Sequence, residues 1–162
     1  LKHYLSCMLI LLSFVTVNAQ EKKELKEGDQ APTFKYLDIN GKEVSLSDLK
    51  GKYVYIDVWA TWCGPCQYEL PHLEKKMHGK KIVFVSISCD KDKAAWEKMV
   101  KEQGLGGVQL HNGGDREFMT AFGIRGIPRF ILLDKEGKIV NPNMPRPSNP
   151  ETEKTLKALK GI

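Results

Sequence analysis

Residues 53–59, YVYIDVW, form an apolar run interrupted only by Asp57. Such a run offers no polar face, so it reads as a strand buried on both sides near the middle of a sheet. IVFVSIS at 82–88 has the same character. The segments between and beyond them read as helices. One is expected to start near Cys63 and run to about His78, with Pro71 inside it as a source of a kink. Asp92–Gln103 is amphipathic, with Ala95, Met99 and Val100 as its inward candidates and Trp96 as a packing residue. Residues 115–122 form a short helix closed by Gly123. A last helix is capped by Asn149 and carries Pro150 in its first turn. Residues 34–46 read as a hairpin turning at Asn40–Gly41, followed by a helical turn at 47–49. Residues 108–110 are a short strand. Residues 129–133 and 138–140 form a second hairpin, and 142–150 a proline-rich loop. Strands alternating with helices, then a closing hairpin, give an α/β fold. Its mixed central sheet is flanked by helices and carries an N-terminal β-hairpin extension.

The chain has 162 residues and a formal net charge of +5. Its first 19 residues read as a secretory signal peptide. A basic start (Lys2, His3) leads into an apolar run from Tyr4 to Val17, and Val17-Asn18-Ala19 suits cleavage before Gln20. The 14-residue run is shorter than the ~20 residues of a membrane span. An uncleaved leader would leave the domain tethered to the membrane. Residues 20–162 then form one domain, with the polar stretch 20–30 as a flexible lead-in. A chain of that size buries a core without cross-links. Its basic residues are scattered among acids, which argues against a nucleic-acid surface.

Four cysteines are present. Cys7 lies in the leader, Cys89 stands alone, and Cys63 and Cys66 form a CxxC pair. This spacing places both sulfurs on one turn at the start of a helix. There, unpaired N–H groups and the helix dipole favour thiolate over thiol. Cys63 would be the nucleophile, and Cys66, one turn inward, the resolving thiol. Zinc would want four ligands, and His72, His78 and His111 lack ligand spacing with the pair. A structural disulfide across so small a loop would stabilise little. Cys89, after a buried strand, reads as an inert thiol.

WCGPC, preceded by Trp59-Ala60 and followed much later by Gly126-Ile127-Pro128, resembles the active site of thioredoxins. EGDQAPTFKYLDINGKEVSLSDLKGK and Glu69 before Pro71 resemble the secreted, TlpA-like branch of thiol-disulfide oxidoreductases. The likeness spans roughly residues 27–140. It implies a thioredoxin-like fold with Cys63 attacking and Cys66 resolving. Trp62 would flank the site, Pro128 would be a cis-proline facing the disulfide, and the Ile127 backbone would pair with substrate. Asp57 falls where thioredoxins keep a buried acid that exchanges protons with the second thiol; the alternative is an ordinary core or surface aspartate. Arg129 departs from the pattern and would either face acidic substrate surface or point away. Glu69 is expected on the helix surface, with a substrate contact as the alternative.

The resemblance implies an extracytoplasmic, periplasmic enzyme that reduces protein disulfides without a cofactor. A monomer is expected, with electrons from an inner-membrane thiol donor and substrates such as apocytochrome c. Two alternatives remain. A peroxiredoxin-type peroxidase would want its threonine three residues before the cysteine, whereas Thr61 lies two before Cys63. A metal-binding module on the same fold would need a distant histidine such as His111.

Overall fold

A computed structural model describes residues 24–77 and 81–162. The expected signal peptide lies outside the described residues. Among the described residues seven strands form one sheet: β1 (Lys35–Asp38), β2 (Glu43–Ser45), β3 (Tyr53–Trp59), β4 (Ile82–Ser88), β5 (Val108–His111), β6 (Arg129–Leu133) and β7 (Ile139–Asn141), in spatial order β2-β1-β5-β4-β3-β6-β7. β3 pairs parallel with β4 and antiparallel with β6, and β4 pairs parallel with β5. The sheet is therefore mixed, and β1 and β2 form the N-terminal hairpin extension. Among the described residues four α-helices, α1 (Gly64–Met77), α2 (Lys93–Gln103), α3 (Arg116–Ala121) and α4 (Pro150–Lys157), and a 3-10 turn at Leu46–Leu49 complete the fold. α1 runs through Pro71 to Met77.

Alternation along β3 divides the core. Val54, Ile56 and Val58 enter a cluster with Phe118 and Phe122 beside α3. Tyr55 packs with Leu73 of α1 and Leu156 of α4, while Trp59 packs with Cys66, Leu70 and Trp96. Asp57 lies between Tyr55 and Trp59, so it shares the face covered by α1.

Local chemistry explains the boundaries. The Asp92 side chain accepts from the Ala94 and Ala95 amides at 2.9 and 3.2 Å, and Gly104 ends α2 with φ 60°. The Asn149 side chain accepts from the Glu151 amide at 2.9 Å at the start of α4. In α2, Trp96 and Val100 are buried, while Ala95 and Met99 are only partly covered.

Residues 28–31 are tied to the closing hairpin by backbone bonds. Gly28 N–H donates to Ile139 O, Ile139 N–H to Asp29 O, and Ala31 N–H to Gly137 O, fixing residues 28–31 along the β6–β7 hairpin. Polar composition hid this, because backbone bonds need no particular side chain.

Ile56 is fully buried and lies between Val85 and Ile131 in neighbouring strands. Ile56→Ala should cost about 2–5 kcal/mol, read by urea unfolding with an unchanged slope. A midpoint equal to the parent's would contradict this description of the core.

Candidate active site

The C-terminal end of β3 carries the chain into the CxxC pair. Cys63 precedes the first residue of α1, and Cys66 sits in its first turn. The two are joined as a disulfide, with Cα atoms 5.2 Å apart. The Cys66 N–H points at Cys63 Sγ, 3.3 Å away. A helix-terminal amide is thus already aimed at the sulfur expected to become a thiolate. Both sulfur residues are mostly covered, whereas Trp62 beside them is 71% exposed.

Ile127 packs against the cluster that contains Cys63 and Cys66. The Ile127–Pro128 bond is cis. Arg129 pairs with Val58, so Pro128 extends the ladder toward Trp59, at the sheet end where the cysteines lie. The structure therefore brings together Cys63, Cys66, Trp62, Ile127 and Pro128 at one end of β3.

Asp57 is buried beneath them and pairs across the sheet with Ser86 and Phe130. The only hydrogen bond to its side chain among the described residues comes from Ser86 Oγ at 3.3 Å. Burial pushes its carboxyl up to about 7; the Ser86 bond opposes the rise, and the Glu69 charge adds to it. A carboxyl titrating there can take or give a proton at neutral pH.

Glu69 differs from expectation. It is buried rather than on the helix surface. Ser148 N–H and Oγ–H both donate to it at 2.9 Å, and Arg146 Nη1 lies 3.9 Å away. The proline-rich loop therefore closes over α1 and satisfies this carboxylate. Seventy-nine residues separate the partners, so no local signal could have paired them.

A third acid was also missed. Asp90 is buried just beyond β4 and accepts from Thr61 N–H at 3.0 Å, Thr61 Oγ–H at 2.7 Å and Ser88 Oγ–H at 2.6 Å. Gln67 Nε2 donates to the Thr61 carbonyl. These bonds clamp the turn that presents Trp62 and Cys63. The Thr61 hydroxyl is thereby committed to Asp90 in this conformation. The short Ser88-x-Asp90 spacing after a buried strand was the available hint.

His111 is also committed, stacked on Trp96 with ring centroids 5.2 Å apart and Nε2 2.8 Å from the Asp90 carbonyl oxygen. Among the described residues no group of three His, Cys, Asp or Glu side chains could hold a metal. Cys89 is a free, half-buried thiol; burial, and then the Asp90 charge, push it up, so it is less nucleophilic at neutral pH. Arg129 is half-buried, with its Nε donating to Pro142 O at 3.0 Å.

Known proteins resemble this chain over most of its length. The profile of the family described as Redoxin matches residues 26–159. Thiol-disulfide oxidoreductase ResA of Bacillus thuringiensis (strain Al Hakam) is 30% identical over 143 residues, covering 86% of this chain and 82% of that protein. The solution structure of a candidate thiol-disulfide oxidoreductase from Bacteroides vulgatus is 62% identical, with a TM-score of 0.71 over 79% of this chain and 86% of that one. A candidate thiol:disulfide interchange protein DsbE from Chlorobium tepidum is 27% identical, with a TM-score of 0.70 over 83% and 94% of the two chains.

The Asp57 environment sets a pH dependence. Unfolded, the carboxyl titrates near about 3.9; folded, near about 7. The folded state binds more protons between these values, so this group lowers stability as pH rises through that window. In the oxidised protein, Asp57→Asn should be more stable than the parent at pH 8, by on the order of 4 kcal/mol, with the gap closing near pH 4. Parallel stability curves for the two proteins in urea would refute the assignment.

Proposed function

This chain belongs to the Redoxin family and is a thiol-disulfide oxidoreductase of thioredoxin-like fold, and from that premise we propose that it works outside the cytoplasm as a reductant of protein disulfides. The observation that carries the reading is the Cys63–Cys66 pair at the start of α1, with the Cys66 amide on Cys63 Sγ and the Asp57 carboxyl buried beneath.

In the reduced enzyme the Cys63 thiolate attacks one sulfur of a substrate disulfide. The substrate S–S bond breaks, a mixed disulfide forms, and the leaving sulfur takes a proton. The Cys66 thiol then loses its proton to Asp57, and its thiolate attacks Cys63 Sγ. The mixed disulfide breaks, the Cys63–Cys66 disulfide forms, and the released substrate sulfur takes a proton. Two electrons have passed to the substrate, and an external dithiol must return them. Ile127 and Pro128, beside the pair, offer backbone for the substrate strand, and exposed Trp62 offers an aromatic contact.

The leader-like start of the sequence and the names ResA and DsbE among the relatives support an extracytoplasmic, periplasmic site. A reductant there draws electrons from a thiol relay in the inner membrane. We propose cysteines of apocytochrome c awaiting haem as its substrates, and cytochrome c maturation as its role. We propose that it acts as a monomer and needs no cofactor, because both reacting groups belong to the chain.

A Cys66→Ala variant should accumulate mixed disulfides with its substrates through Cys63, visible as thiol-sensitive adducts on non-reducing gels. Equal trapping by Cys63→Ala would reverse the two roles.

A further inference from the structure

Beside the active site lies a groove of about 780 Å³ that the mechanism above does not use. It is lined by Arg125, Gly126, Arg129, Met119 and Pro142. Gly126 joins the groove directly to Ile127, which packs against the Cys63–Cys66 cluster. Arg125 is two residues from Ile127. At about 3.3–3.6 Å per residue, its backbone lies within roughly 7 Å of the Ile127 backbone. A peptide pairing with Ile127 would carry its second or third residue from the cysteine into the groove.

The charged residues that line the groove are Arg125, Arg129 and Glu24, two cations against one carboxylate. Neither Arg125 nor Arg129 forms an ion pair within 4 Å among the described residues. The bond from Arg129 Nε to Pro142 O holds that guanidinium against the groove wall. Burial works against the Arg129 charge, and Glu24, also lining the groove, supports it. One carboxylate of the chain itself therefore already lies within electrostatic reach of Arg129. Met119 and Pro142 supply apolar surface beside the two arginines.

We propose that this groove receives an acidic stretch flanking the disulfide of the substrate protein, with Arg125 and Arg129 as specificity-determining residues and Glu24 as an internal competitor. The proposal rests on the reading of the chain as a disulfide reductant. Electrostatic complementarity of this kind acts mainly on the rate of productive encounter and fades with salt.

The test uses the full chain, reduced beforehand, and two synthetic peptides. Both contain the same disulfide ring, and they carry either two glutamates or two lysines at the second and third positions after the second cysteine. Rates of reduction come from stopped-flow tryptophan fluorescence, and neutral hydroxyethyl disulfide is measured alongside. At low ionic strength the glutamate peptide should react about five- to tenfold faster than the lysine peptide, and the ratio should shrink at 0.5 M salt. R125E should bring the ratio to one or below, R129Q should reduce it, and E24Q should raise it. Equal rates for the two peptides in the parent protein, or an unchanged ratio in R125E, overturn the proposal. If hydroxyethyl disulfide is reduced while peptide charge is ignored, only this inference fails. If no disulfide is reduced, the functional reading fails with it.

Discussion

The pinning of β3 between two neighbours is the constraint on which the rest depends. Seven consecutive residues pair with β4 on one side, and five of them pair with β6 on the other. Its side chains alternate into two separate parts of the core, so the strand can neither slide nor rotate without moving its apolar set to the wrong face. Beyond Trp59 the chain remains under control, because Cys89 N–H donates to the Trp59 carbonyl at 2.8 Å and Asp90 grips Thr61. The cysteines therefore begin α1 at a fixed height and orientation above the sheet. Precision at a two-sulfur site matters, since exchange requires the attacking sulfur, the bond it breaks and the leaving sulfur to align.

Charge at the site is a contest. The start of α1 favours a Cys63 thiolate, while three carboxylates lie buried nearby in Asp57, Glu69 and Asp90. They differ in how their lone pairs are satisfied. Asp90 accepts three hydrogen bonds at 3.0 Å or shorter. Glu69 accepts two at 2.9 Å with a guanidinium beyond. Asp57 has one bond at 3.3 Å and faces the Glu69 charge. With so little compensation, Asp57 is raised to the pH range in which a thiol must be deprotonated. Asp90 fixes the shape of the turn and Glu69 ties the proline-rich loop to α1. The burial that disfavours an ionised Asp57 is thus what supports its proposed role in proton transfer.

Much of this was legible in the sequence where the governing forces are local. The apolar runs at 53–59 and 82–88 gave the two central strands, since period and β-branched content speak for themselves over seven residues. The amphipathic range 92–103 and the Asn149 cap marked helix ends because periodicity and capping are local, whereas the capping roles of Asp92 and Gly104 came from the folded chain. WCGPC and Gly126-Ile127-Pro128 pointed to one site, and the fold brings them to the same end of the sheet. What stayed hidden depends on distance along the chain. Glu69 looked like a surface acid because its partner, Ser148, arrives through a loop whose position only the folded chain defines. The Ser88-x-Asp90 spacing hinted at a held acid, but its bond to Thr61, twenty-nine residues earlier, shows only in the folded chain. The bonds that tie residues 28–31 to the β6–β7 hairpin were not legible, because they join backbone groups more than a hundred residues apart.

The central claim is that Cys63 and Cys66 form a working couple poised to reduce. Thioredoxin itself lies near about −270 mV and the oxidant DsbA near about −120 mV, so the two directions are well separated on one scale. An equilibrium titration of the Cys63/Cys66 couple against defined ratios of reduced and oxidised dithiothreitol and glutathione tests the claim directly. The account predicts a potential near the thioredoxin end, below about −220 mV. A value above about −180 mV would contradict it and make the protein an oxidase or isomerase instead.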